Sequence, residues 1–112
     1  PMARYDHEGG HPRSVVIDHA ASGDNTLVAA VPGKKIRVLS FLLVSAGTVT
    51  VRFESGASGT ALTGQMTTAV NSVIAAPYNP GGWFETAAGA LLNLELSGNV
   101  SVDGVLNYVL VD

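Results

Sequence analysis

From Ser14 to its C-terminus the chain is written in short runs of β-branched and leucine residues separated by glycine-rich turns. No stretch long enough for a helix of about 11 residues shows apolar residues at helical spacing without glycine, proline or strand formers inside it. That punctuation excludes a helical or α/β fold and predicts an all-β chain with a helix content near zero.

The strands follow from period-two alternation. SVVIDHA from Ser14 is the first, closed by the turn-forming SGDN, and TLVAAV is the second, ended by Pro32-Gly33. That pair favours a type II turn with glycine at the position of positive φ. KKIRVLSFLLVS forms a long strand with Ile36 and Val38 on one face and Arg37, Leu39 and Phe41 on the other. Both of its faces become apolar toward the C-terminal end, which suits a central strand or one that enters an interface. TVTVRFE alternates cleanly, with Val49, Val51 and Phe53 inward. Shorter strands are expected in TALTGQM, AVNSVIA and WFET, and ALLNLELS alternates Leu92, Leu94 and Leu96 with Asn93 and Glu95. NVSV and VLNYVLV complete the set, with Asp103-Gly104 between them as a type I′ hairpin signal. Eight or nine strands spaced by about 8 to 12 residues define an antiparallel β-sandwich of jelly-roll type over residues 14–112. Residues 1–13 are polar, carry two adjacent glycines and a proline, and read as an extended N-terminal arm.

Composition limits the function. There is no cysteine, so disulfides, thiolate metal sites and cysteine nucleophiles are all excluded. Six Lys and Arg stand against nine Asp and Glu without a basic stripe, which argues against a nucleic-acid partner. No apolar run approaches the roughly 18 residues of a membrane span, so no membrane partner is expected either. Charged residues are 13% of the chain and apolar ones 46%, where an ordinary soluble domain has about 25% charged. A folded surface this poor in charge exposes apolar patches that proteins normally cover in interfaces, and this predicts a homo-oligomer. The candidate interface residues are Leu39, Phe41, Trp83, Phe84, Val105, Val109 and Val111. Val105, Val109 and Val111 share one face of a terminal strand whose other face is equally apolar.

Chemical motifs are weak. His7-Glu8-Gly9-Gly10-His11 matches the H-E-x-x-H of zinc proteases, but that spacing works only on a helix, and two glycines followed by Pro12 oppose one. His19 and Asp18 are strand neighbours that point to opposite faces. No serine stands in a nucleophile elbow. An enzyme would need His19, Asp18, Asp24 or Glu85 to converge in one pocket, so no catalytic residue, metal or cofactor is assigned. The loop from Tyr78 to Phe84 gathers three of the seven aromatic residues and offers Tyr78, Asn79 and Trp83 as a ligand loop able to stack on a sugar.

Two segments, SGDNTLVAAVPGKKIRVLSFLLVSAGTVTVRFESG beginning at Ser22 and NPGGWFETAAGALLNLELSGNVSVDGVLNYVLV from Asn79 to Val111, resemble small virion-associated proteins of tailed bacteriophages. They take in most of the chain outside the arm. The resemblance implies a structural, capsid decoration-like protein with a β-sandwich fold, often trimeric, and no catalytic residues. It places the chain on a virion assembled in the host cytoplasm, with the major capsid protein or another virion protein as partner. Arg4, Tyr5, His7 and His11 of the arm then become the particle-docking residues. A carbohydrate-binding or receptor-recognition module of a tail fibre is the alternative, carried by the aromatic loop.

Overall fold

The computed structural model describes residues 10–112. Among them there are ten strands and no helix: β1 (Arg13–His19), β2 (Gly23–Val28), β3 (Lys35–Ser45), β4 (Val49–Ser55), β5 (Thr60–Ala61), β6 (Met66–Thr68), β7 (Val73–Ala76), β8 (Phe84–Glu85), β9 (Leu92–Leu96) and β10 (Val102–Val111). All pairings are antiparallel. One sheet runs β1-β10-β3 with β7 and β8 both on the far side of β3, and the other runs β2-β9-β4 with β5 and β6 both on the far side of β4. With β5/β6 and β7/β8 each taken as one position, eight positions remain. Their order, 1-8-3-6 facing 2-7-4-5, is compatible with a jelly roll.

The core is the sum of the inward rows of the two sheets. Val49, Val51 and Phe53 of β4 and Leu92, Leu94 and Leu96 of β9 meet Ile17 of β1, Ile36, Val38 and Leu43 of β3, and Val102 and Leu106 of β10. At one end three rings pack together, with Phe53 4.9 Å from Phe41 and 5.1 Å from Phe84 between centroids. Tilted ring pairs at such distances add to the stabilisation that burial alone gives.

Strand β3 departs from simple alternation. Its register with β10 passes from Asn107↔Ser40 to Tyr108↔Val38, which leaves Leu39 as an extra residue, a β-bulge. One added residue reverses the parity of everything beyond it. Ile36 and Val38 on one side of the bulge and Phe41 and Leu43 on the other therefore all face the core. This is why both faces of the strand look apolar in sequence, and why Phe41 does not share a face with Arg37.

Two turns expected from sequence meet opposite outcomes. Lys34 N donates to Val31 O at 3.0 Å across Pro32-Gly33, and Gly33 has φ +74°, as a type II turn requires. Asp103-Gly104, in contrast, is no hairpin: both residues lie inside the continuous ten-residue β10. Gly104 is there because the backbones of β10 and β3 approach closely. A Cβ at this position would lie 1.8 Å from Leu42 O. The SGDN segment is likewise not all turn, since β2 already begins at Gly23.

Candidate functional site

The outward residues of the two sheets differ sharply. On the β2-β9-β4 wall they are polar, and cross-strand pairing brings Asp24 against Glu95, Glu95 against Arg52, and Asn93 against Thr26 and Glu54. The Asn93 amide donates to Asp24 Oδ1 at 2.7 Å and to Glu54 Oε1 at 2.9 Å, and its carbonyl oxygen accepts from Asn25 N at 2.8 Å. Arg52 Nε donates to Glu54 Oε2 at 2.9 Å, so the buried Glu54 carboxylate is held from two sides. Ser58, in the loop after β4, donates from its hydroxyl and its amide to the two Asp24 oxygens at 2.8 and 3.1 Å. These Ser58 bonds, with further ones from Glu95 and Asn93, lower Asp24 to about pKa 2. Glu95 is raised above the usual carboxylate range, chiefly because its hydrogen bond with Asp24 needs the shared proton.

Asp24, Glu54 and Glu95 offer carboxylate oxygens within 4.8 Å of one another and are the described residues that could ligate a cation. Asn93, Arg52 and Ser58 already bond to these carboxylates, and no buried polar side-chain atom among the described residues lacks a partner. The arrangement works as an internal polar brace that ties β2, β9, β4 and the Ser58 loop together. Its members lie decades apart in the sequence, and only the strand register brings them together, so no local motif announces them.

The outward face of the β1-β10-β3-β7 sheet is different. Its strand pairing aligns three rows across the wall. The middle one is Val16, Val105, Leu42 and Ala75, each directly opposite the next. Val16 is 70%, Leu42 41% and Val105 39% exposed, so four strands present one apolar row to solvent. On one side runs Asp18, Asp103, Val44 and Val73, and on the other Ser14, Asn107 and Ser40. Ser101 Oγ donates to Asp103 Oδ2 at 3.0 Å, and Asn107 Nδ2 donates to Ser40 Oγ at 2.8 Å. Asp18 directly opposite Asp103 is a like-charge pair, an unfavourable choice for a plain solvent face.

The structure separates the residues proposed for an interface. Val105 lies in the exposed apolar row and Trp83 is 47% exposed. Phe41 is buried in the ring cluster, and Phe84, half-buried, packs against the same core. Leu39, Val109 and Val111 are a second buried cluster. These three leave no surface for a partner to cover and Phe41 almost none, so the interface assignment is corrected for all four. Apolarity on both faces of β3 and β10 arises here from the bulge and from burial within the protein. Val16 and Leu42, which sequence alone did not single out, take their place. The signal was available in β1, where Val16 alternates away from Val15 and Ile17, but its cross-strand partners were not legible.

In the aromatic loop Tyr78 is exposed, Asn79 Oδ1 accepts from Gly81 N at 3.0 Å, and Asn79 Nδ2 donates to Gly82 O at 3.3 Å. Trp83 Nε1 donates to Pro77 O at 2.8 Å, so both Asn79 and the indole are spent on holding the loop. The described residues enclose no pocket. Asp18 lies on β1 and Asp24 on the other sheet, while Glu85 on β8 pairs with Arg37 at 2.9 Å, so the structure does not bring the candidate acids together. Arg4, Tyr5 and His7 lie outside the described residues, and His11 is exposed just before β1. Gly10 to Pro12 are not helical, contrary to what a zinc-protease helix needs.

What fold and surface define is a small antiparallel β-sandwich with one polar wall and one wall that exposes an apolar row between polar side chains. No protein-family model matches the chain, and no curated protein matches its sequence. A solved structure of Bacillus endospore appendages, described as a novel family of disulfide-linked pili, is similar in fold: TM-score 0.56 at 17% identity, covering 100% of this chain and 97% of that one. At that identity the likeness concerns the all-β fold. It lies with a bacterial appendage protein, so the bacteriophage relationship suggested by the sequence finds no counterpart in the comparison.

Proposed function

We propose that this protein is a structural, non-enzymatic subunit that associates with copies of itself. The observation that carries the reading is the contrast between the two walls. Glu54, Asn93 and Arg52 make one wall polar and internally satisfied, while Val16, Val105 and Leu42 leave an apolar row exposed on the other. A contiguous apolar row on an exposed sheet face is the kind of surface that marks an interaction site. The fold likeness to a protein of disulfide-linked pili supports a structural role, although this chain contains no cysteine and its copies must associate without disulfides. Bacteriophage capsid decoration, with a capsid protein as partner, a virion location and a trimeric state, is the narrower form of this reading and rests on sequence resemblance alone.

Sedimentation velocity of the purified chain tests the broader reading. Species larger than one chain are expected to grow with concentration into the high micromolar range, and a single monomeric boundary throughout would refute it. The sugar-binding alternative is weaker, because the Asn79 amide and the Trp83 ring nitrogen, two of the polar groups a sugar would use, already bond within the loop.

A further inference from the structure

We infer that two copies of the chain pair face to face through the outer wall of the β1-β10-β3-β7 sheet, about a two-fold axis running along the row Val16, Val105, Leu42 and Ala75. The inference rests on the self-associating reading above and names the surface and the orientation. The described residues form no pocket on this wall, and an open sheet face is matched by another sheet face, as in any sandwich of two sheets about 10 Å apart. A pair of identical copies further requires a surface complementary to itself.

The three rows supply that complementarity for one orientation. Rotation about the apolar row lays Val16 on Val16, Val105 on Val105 and Leu42 on Leu42 of the second copy. It also reverses the strand direction, so the flanking rows exchange: Asp18 and Asp103 of one copy come over Ser14 and Asn107 of the other, and Val44 over Ser40. Ser40 Oγ accepts from Asn107 Nδ2, which leaves the Ser40 hydroxyl hydrogen and the second Asn107 N–H to donate toward the opposing acidic row. The like-charged Asp18 and Asp103 thereby find hydrogen-bond donors from a second copy. Rotation about a central axis parallel to the strands would instead lay Asp18 over Val73 and Asp103 over Val44 of the second copy, burying both carboxylates against apolar side chains that offer no donor.

Three rows on four strands span roughly 16 by 19 Å, so two such walls bury about 600 Å² in projection and somewhat more with side-chain relief. That area belongs to small, weak contacts, so association is expected only at about hundreds of micromolar, an order-of-magnitude expectation. The trimer expected from the sequence gives way to a pair as the elementary contact.

Sedimentation velocity on wild type, Leu42→Lys and Val105→Lys is the first arm of the test. Both positions are exposed in a single copy, and unchanged circular dichroism and unfolding midpoints will show that the variants fold. Each is expected to weaken association by about 100-fold or more, because an unpaired ammonium would face its own copy across an apolar contact. Thiol cross-linking is the second arm. The chain has no cysteine, so Asp103→Cys and Asn107→Cys each introduce a single thiol. With a bifunctional reagent spanning about 10 Å, the spacing of packed sheets, a mixture of the two variants is expected to give the mixed dimer, and Asp103→Cys alone little product. Strong linking of Asp103→Cys to itself without the mixed product overturns the orientation. Undiminished association of both lysine variants overturns the surface while leaving self-association intact, and a wild type that never associates overturns both.

Discussion

Gly104→Ala makes the fold argument quantitative at the strand pair beneath the apolar row. The added Cβ would lie 1.8 Å from Leu42 O, 2.8 Å from Leu42 C and 2.9 Å from Leu43 Cα, all of them backbone atoms that no rotamer change can move. Ordinary contact begins at 3.4 Å, so β10 and β3 must part locally by about 1.6 Å, the difference between 3.4 and 1.8. A ladder bond of normal length lengthened by that amount no longer counts as a hydrogen bond. Two or three such bonds at about 1 kcal/mol each, with about 1–3 kcal/mol for overpacking beside Val102 and Leu106, give a loss of about 3–6 kcal/mol. For a chain of this size that is roughly 15–30 °C in Tm. Guanidinium chloride unfolding followed by Trp83 fluorescence, with thermal circular dichroism, measures it. Gly98→Ala is the control, since a Cβ there meets nothing within 4 Å, and it should change stability by less than about 0.5 kcal/mol. A Gly104→Ala protein as stable as the control would refute the close approach, and with it the placement of Asp103-Gly104 inside a strand.

The polar wall gives further expectations. Asn93→Ala removes three hydrogen bonds and takes one of the two donors from the buried Glu54, and should cost about 2–4 kcal/mol in urea unfolding. Thr86→Val removes the hydroxyl that accepts from the buried Ile36 N at 2.9 Å, for a loss of about 1–3 kcal/mol by the same assay. Asp24, lowered from 3.8 to about 2, binds fewer protons folded than unfolded between those values, so its contribution is complete above pH 3.8 and lost as pH falls through about 2. Glu95, raised above 4.5, binds more protons folded than unfolded, so its contribution declines as pH rises from 4.5 through its higher folded value. Unfolding free energies across pH 2–7 should therefore lose part of their acid limb in Asp24→Asn and part of the decline above pH 4.5 in Glu95→Gln.

The sandwich was legible in the sequence because period-two alternation in TVTVRFE and ALLNLELS needs no tertiary information: Val51, Phe53, Leu92 and Leu94 are wholly buried, as their spacing demands. Pro32-Gly33 was legible for the same local reason. Failures came where a residue's role depends on a strand distant in sequence. Leu39 became a bulge through its register with β10, and that single insertion sends Phe41 into the core. Gly104 looks like a turn residue until Leu42 is known to lie against it. The candidate surface was half visible. Low charge and apolar content announced that some face needs covering, but Val16, Val105 and Leu42 become one row only through two cross-strand registers.

Sedimentation velocity of the wild-type chain beside Leu42→Lys, from about 10 to 500 µM, bears most directly on the claim that the exposed wall exists to be covered by another copy, the range being set by the interface size. Concentration-dependent association of the wild type, lost in the lysine variant, is the predicted result. A wild type that sediments as a single monomeric species over the whole range would contradict it.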